Sequence, residues 1–411
     1  MRDTFRHEMK TLLGSWSPQK TYLLASSTTN SIALILSFIY SRELGSNNRG
    51  IVGMIFLISL LYSTVALGGL NLTFKSQRKP ISTHTHLKAF LFISVPASVV
   101  GSMSTLLVAT VYSSLKTFVP TNLLLMGGIY SLFSVALNQF FQVLLAKGFT
   151  ALKWKLDLIM VLIQTLLYFL LRNTLDISVA VCILMSFTCS YIALIIIVLL
   201  FVLKRQTIST KDSIGVFTRI KELFLASKSN IGYSISFSIL DRIDRVIVLI
   251  IFPANVYGVY SYLTGIIVFT RFIPDSISTL IIAKKTLINI RISTIFQKIL
   301  LLVISVFFGA IAYLITEKTF YEGTIVLLWV AILFGLSELL RATYISGMSH
   351  LFERSGDKTP FRTSMFLLFS FTILGTILLQ FFGLFGIPFA LALSYLVVLS
   401  YLNRRKFQFD Q

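Results

Sequence analysis

The chain has 411 residues, 55% of them hydrophobic and only 13% charged. A soluble chain carries about 25% charged residues, so this composition and a mean hydropathy of +0.84 exclude an ordinary soluble domain. The net charge of +20 raises nucleic acid as a partner, but the placement of the basic residues along the chain excludes it.

Residues 1–20 are polar and charged, with no apolar core. The first apolar stretch therefore reads as an uncleaved insertion signal rather than a leader. From there twelve apolar stretches follow, at residues 21–40, 51–74, 87–112, 121–145, 156–171, 178–203, 229–251, 257–282, 299–315, 324–346, 361–382 and 384–402. About 20 apolar residues in a helix cross the hydrocarbon of a bilayer, so the sequence predicts an all-α polytopic membrane protein. The fifth stretch is the shortest, and only a tight turn at Gly383 separates the last two.

With the N-terminus in the cytoplasm, 27 of the 36 Lys and Arg residues fall in inward segments. Only Arg42, Arg49, Lys116, Arg172 and Lys318 fall in outward loops. This is the positive-inside pattern. It accounts for the net charge, predicts both termini in the cytoplasm, and leaves nucleic acid out, with anionic membrane lipids as the partner of the basic face.

The four remaining arginines, Arg242, Arg245, Arg271 and Arg341, lie within apolar stretches. An intramembrane charge is costly, and it usually faces a bundle interior or a watery path. The seventh stretch carries Ser234, Ser238, Asp241 and Arg245 at helical spacing, a polar stripe on one face. Asp241 and Arg245 are spaced to pair at i,i+4, as are Arg271 and Asp275, and Glu338 and Arg341 at i,i+3. Glu338–Arg341 is the pair best placed to reach the cytoplasmic interface. These residues read either as self-neutralised structural pairs or as a site in which the arginines, whose planar fork suits phosphate and carboxylate oxygens, hold an anionic cargo. Asp241, Asp244 and Asp275 would then be free to accept a proton or cation. Pro274, beside Asp275, would kink the eighth helix at that site, and Pro96 would kink the third.

The interior polar residues of the first half are neutral: Asn30, Asn71, Asn138, Gln139, Gln142 and Gln164. They read as interhelical hydrogen-bonding groups or as the lining of a polar path. Cys182 and Cys189, seven apart on one helix, are too distant for a disulfide and read as packing residues. His84 and His86 read as solvated loop residues, and no metal site or cofactor is expected. No G-x-x-x-x-G-K-[ST] stretch is present to supply ATP drive.

The basic segment 204–228 falls midway and divides the chain into halves 1–203 and 229–411, each of six stretches. Both halves place a glycine, Gly50 or Gly258, at the entry of their second helix, as expected of a transporter built from repeats.

Two segments carry a family likeness. The stretch Ser-Arg-Glu-Leu-Gly-Ser-Asn-Asn-Arg-Gly-Ile-Val-Gly from Ser41 to Gly53 resembles the first hairpin of Wzx-type O-antigen and capsular polysaccharide repeat-unit flippases. Asp-Arg-Ile-Asp-Arg-Val-Ile-Val from Asp241, followed by Val-Tyr-Gly-Val-Tyr-Ser from Val256, is similar to their seventh and eighth helices. These flippases belong to the multidrug/oligosaccharidyl-lipid/polysaccharide exporter (MOP) superfamily, alongside MATE antiporters. The resemblance implies two six-helix lobes around a central cavity that opens alternately to each side of the bacterial cytoplasmic membrane. It implies an undecaprenyl-diphosphate-linked oligosaccharide as cargo and a polysaccharide polymerase as a further partner. The carry-over falls on Asp244 and its neighbouring arginines, and on Gly50 and Gly258. The first half lacks an intramembrane arginine of the kind family members use, leaving Arg42 and Arg49 at the end of the first hairpin to serve instead.

Two other functions remain open. A MATE-type cation-coupled drug antiporter shares the architecture, but would carry unpaired acids in its cavity, often in the first helix, where this chain has none. A polytopic polymerase or glycosyltransferase would need a large outward loop, and the outward loops here are short. A non-enzymatic transporter is therefore expected.

Overall fold

Apolar runs of this length become helices because a bilayer offers backbone N–H and C=O groups no partner outside the segment itself. The computed structural model describes residues 18–67, 83–115, 118–146, 150–204, 216–268, 295–320, 325–349 and 359–409. These form α1 (Pro18–Leu67), α2 (Thr83–Leu115), α3 (Thr121–Ala146), α4 (Thr150–Thr174), α5 (Val179–Lys204), α6 (Val216–Ile251), α7 (Ala254–Val268), α8 (Ile295–Phe320), α9 (Ile325–Ser349), α10 (Thr359–Phe382) and α11 (Gly386–Phe409). No strand occurs among the described residues.

α1 holds two of the expected stretches in one element. Where the sequence suggests a loop over residues 41–50, the structure has a single break, at Gly45 with φ 69° and ψ 172°. That left-handed φ costs glycine nothing and any other residue roughly 1–2 kcal/mol. The two arms of α1 and the ten other helices fall on the twelve expected stretches in order, the eighth of which lies outside the described residues beyond Val268. Seven helical stretches among the described residues are long and apolar enough to cross a membrane. Two of these, Thr28–Ser63 and Phe361–Leu402, are interrupted internally, the second by the 3-10 turn Gly383–Phe385 with Gly383 at φ 57°.

Boundaries move where helices outrun their apolar part. The short fifth stretch becomes the 25-residue α4, and α6 starts at Val216, well before the apolar run. α2 continues through Pro96. His84 and His86 sit in its first turn, not in a loop. Both cysteines are free, Cys182 buried and Cys189 exposed, so only the first is a packing residue. Pro274 lies outside the described residues.

α1–α5 pack on one another, and α6–α11 pack on one another. The two halves meet where α1 crosses α7, α6 and α8, and where α2 touches α6, with the α1–α7 contact the most extensive. The first half is filled by linked rings from four helices. Tyr40 meets Tyr168 at 4.5 Å between centroids, Phe56 meets Phe187 at 5.2 Å and Tyr130 at 4.9 Å, and Tyr130 meets Tyr191 at 5.7 Å. Outward-facing apolar side chains such as Leu107, Leu166 and Phe381 are exposed, as a lipid-facing surface requires.

The α1–α7 crossing has internal two-fold character. Gly45 interrupts α1, and Pro253 stands in the break between α6 and α7. Five residues beyond each lies a glycine in helix. A Cβ on Gly50 would overlap the carbonyl oxygen of Ala254, and one on Gly258 would overlap the carbonyl oxygen of Ser46. Ser46 follows Gly45 as Ala254 follows Pro253. The two backbones therefore touch reciprocally, with no side chain between them.

Candidate functional site at the seam between the halves

α6 presents Asp241, Arg242, Asp244 and Arg245 within five residues. At about 100° per residue they cover most of the helix circumference, so each must find its own neighbour. Asp241 turns toward α9. Its Oδ1 lies 3.1 Å from Nε of Arg341, and its Oδ2 lies 3.6 Å from Nη1 of Arg242. Arg242 also donates through Nη1 to the carbonyl of Ser238 at 3.1 Å. Arg341 reaches the Glu338 carboxylate one turn back at 3.9 Å and lies over the Phe237 ring at 5.3 Å. Asp244, 2% exposed, turns toward α7 and accepts the Tyr260 hydroxyl at 3.0 Å.

The expected Asp241–Arg245 pair does not form. A carboxylate two helices share is better neutralised by an arginine fork from the facing helix than by one from its own face. Glu338 and Arg341 do pair, and at 3% and 6% exposure both are buried within the protein. Arg271 and Asp275 lie outside the described residues.

Arg245 differs in its charge partner. Among the described residues no carboxylate pairs with it, and its Nε is buried without a hydrogen-bond partner. Arg49 shares that state. It belongs to the first half, yet its guanidinium lies 5.8 Å over the ring of Tyr262 on α7, and its Nε is also buried without a partner. Tyr262 is held in turn by Thr319 of α8, whose hydroxyl donates to the Tyr262 hydroxyl at 3.3 Å. Both Arg49 and Arg245 act electrostatically on Tyr257 of α7, which is buried. In this described array four arginines, at 49, 242, 245 and 341, face three carboxylates, at 241, 244 and 338.

Arg42, the other first-half candidate, is exposed. Its neighbour Glu43 instead accepts the Tyr168 hydroxyl at 2.7 Å and pairs with Arg172 at 3.3 Å, tying α1 to α4. Gln139 is fully buried, and neither its amide nitrogen nor its amide oxygen has a partner, so it is no interhelical hydrogen bond. Among the described residues no group of three His, Cys, Asp or Glu could hold a metal ion.

Sequence reasoning missed the tyrosines. Tyr257 and Tyr260 lie on either side of Gly258, and their three-residue spacing, which sets both on one helix face, was the available signal.

The backbone as a whole has counterparts among solved structures. It superposes with TM-score 0.65 on an outward-facing multidrug resistance MATE transporter of the MOP superfamily, at 13% identity over 95% of this chain and 96% of that one. The fold is that of the MOP transporters. The MATE multidrug transporter DinF-BH in complex with R6G matches at TM-score 0.61 and 14% identity, over 94% of this chain and 95% of that one. A MOP superfamily transporter from Pyrococcus furiosus, described as having a binding pocket of reverse polarity, matches at TM-score 0.59 and 13% identity, over 96% and 97%. No family model matches the sequence, and no curated protein does. At this identity the MOP likeness shows the two-lobed, twelve-span fold, while the cargo must be argued from this chain's own residues.

Proposed function

We propose that this chain is a MOP-fold flippase for an amphipathic anion, a polyprenyl-diphosphate-linked oligosaccharide, in a bacterial cytoplasmic membrane. The observation that carries the reading is the pair Arg49 and Arg245, one from each half, both half-buried and without a carboxylate among the described residues, each with a buried Nε that lacks a hydrogen-bond partner. An incompletely hydrogen-bonded guanidinium drawn partly out of water is costly until an anion arrives, and bidentate contact with phosphate oxygens suits it. The diphosphate would enter between the halves, the sugars would cross beside it, and the polyprenyl tail would stay in lipid. Arg242 and Arg341 support this site structurally, since Asp241 and Glu338 already engage them. The test is complementation in a strain lacking its own flippase. Arg245→Ala and Arg245→Lys should both impair surface polysaccharide, because lysine keeps the charge but loses the fork. Full rescue by both at normal expression would remove Arg245 from the substrate site.

A second reading is a MATE-type cation-coupled multidrug antiporter, favoured by the structural neighbours, one of which was captured with R6G. In that case Asp244 would carry the coupling ion. Transport of rhodamine 6G by the purified chain in proteoliposomes under a proton or sodium gradient, lost in Asp244→Asn, would support it over the flippase.

A further inference from the structure

We propose that Gln139 of α3 and Ser98 of α2 hold a buried water between them, and that this water is a rung joining the two helices. The inference is independent of the cargo. Gln139 is fully buried, and neither end of its carboxamide has a partner among the described residues. A carboxamide carries two donors and an acceptor, and burying them unpaired is costly. The site therefore calls for a ligand that both gives and accepts a hydrogen bond. In a position closed to solvent, water is the ligand of that chemistry.

The register of α2 against α3 supplies the second partner. Ser102 of α2 donates to the carbonyl of Gly128 at 2.8 Å, and Thr105 donates to the Ser131 hydroxyl at 2.9 Å. Ser131 donates to the carbonyl of Gly101 at 3.3 Å. One turn further along α3, Cγ2 of Val135 lies 3.2 Å from where a Cβ on Gly101 would stand. Positions 128, 131 and 135 form one stripe of α3, whose next member is 139. Positions 105, 102 and 98 form the facing stripe of α2. α2 recedes as α3 advances, so the rung after Val135 and Gly101 falls to Gln139 and Ser98.

Ser98 is buried as well. Its hydroxyl oxygen has two lone pairs and accepts from a water whatever it donates to. Gln139 makes no direct bond to it, so the rung needs a bridge, and a bridging water is nearly as favourable as a direct bond. Pro96 stands two residues before Ser98 in α2. It brings no N–H to its turn, and its ring crowds the turn before it. In membrane helices such positions take in ordered water. α2 also touches α6 of the second half. The first half thus meets the second through a helix seated partly on water, whose bonds re-form as the helix shifts.

The experiment uses the full chain in nanodiscs of phosphatidylcholine. Pulsed X-ray radiolysis makes hydroxyl radicals from bound water in place, and mass spectrometry reads the side chains they oxidise. Val135, fully buried one turn from Gln139, should be oxidised, and Ile387, equally buried on α11, should not. In Gln139→Leu the oxidation of Val135 should drop to the level of Ile387.

Melting temperatures give the second arm. A wet site tolerates a smaller polar side chain, because a second water fills the space, and rejects an apolar one that strands the first. Gln139→Ser should therefore melt above Gln139→Leu. A dry site reverses that order, since leucine removes an unsatisfied amide and serine opens a cavity. Ser98→Ala should cost less in the Gln139→Leu background than in the parent chain, as partners in one network do. Gln139→Leu melting above Gln139→Ser, Val135 oxidised no more than Ile387 in the parent chain, or strict additivity of Ser98→Ala with Gln139→Leu would each overturn the bridge.

Discussion

Nε of Arg341 stands 3.1 Å from Oδ1 of Asp241, so the first acid of the α6 stripe belongs to α9 and not to the arginine one turn along its own helix. That exchange of partners separates the arginines into two kinds. Arg242 and Arg341 are committed to carboxylates, whereas Arg245 and Arg49 are not.

Asp241→Asn should therefore be a stability lesion first. It deprives Arg341 and Arg242 of a buried counter-charge, a class of change that costs about 3–5 kcal/mol. The double variant Asp241→Leu, Arg341→Met should cost less than either single change, because it leaves no lone charge on that pair. Thermal unfolding of the detergent-solubilised variants, followed by size-exclusion yield, checks the cycle.

Tyr260→Phe removes the hydroxyl donated to Asp244 while keeping the ring. An under-satisfied buried acceptor costs roughly 1–3 kcal/mol, and the loss should appear as a lower melting temperature at unchanged insertion. Tyr262→Phe should be milder, since it breaks only the longer contact from Thr319 at 3.3 Å and leaves the ring beneath Arg49.

The glycines should rank by what a methyl would meet. Gly50→Ala and Gly258→Ala meet backbone that cannot rotate away, and should abolish transport and cost about 1–3 kcal/mol or more. Gly53→Ala meets Ser261 Oγ at 3.2 Å, a side chain able to turn, and should retain part of the activity. Gly265→Ala meets nothing within 4 Å and should be neutral or slightly stabilising. Expression, melting and complementation of the four variants test the order.

Reporter fusions after Leu203 and after Leu402 should both read cytoplasm, given 27 Lys and Arg residues in the segments assigned inward. A periplasmic signal at either position would reverse the assigned orientation.

The spans were legible because each is a local property: an apolar run of sufficient length declares itself without its neighbours. The glycines at 50 and 258 were legible because the repeat places them alike in the two halves. Partner choice was not. Asp241 has an arginine at both i+1 and i+4, and only the tertiary approach of α9 decides that Arg341 takes it. Arg49 read as a loop residue for the same reason. Helix α1 resumes directly after Gly45, and what covers the Arg49 guanidinium is the Tyr262 ring of α7, about 200 residues later in the chain. The deep tyrosines were hidden by composition, since in a chain rich in aromatics nothing local distinguishes a ring against lipid from one against an arginine.

The crossing of α1 with α7 also sets an order of events in synthesis. Arg49 and Gly50 leave the ribosome about 200 residues before Ala254 to Tyr262, an interval of roughly 10–40 s at ordinary elongation rates. For that time the first hairpin is in the membrane with its glycine groove vacant and its arginine without the Tyr262 ring. The hairpin cannot reach its final seat until the second half arrives, so a chain stopped after α5 presents a raw, charged edge to lipid. Quality-control proteases that recognise unassembled membrane segments would meet that edge first, and a truncated first half should turn over quickly unless the second half is supplied in trans.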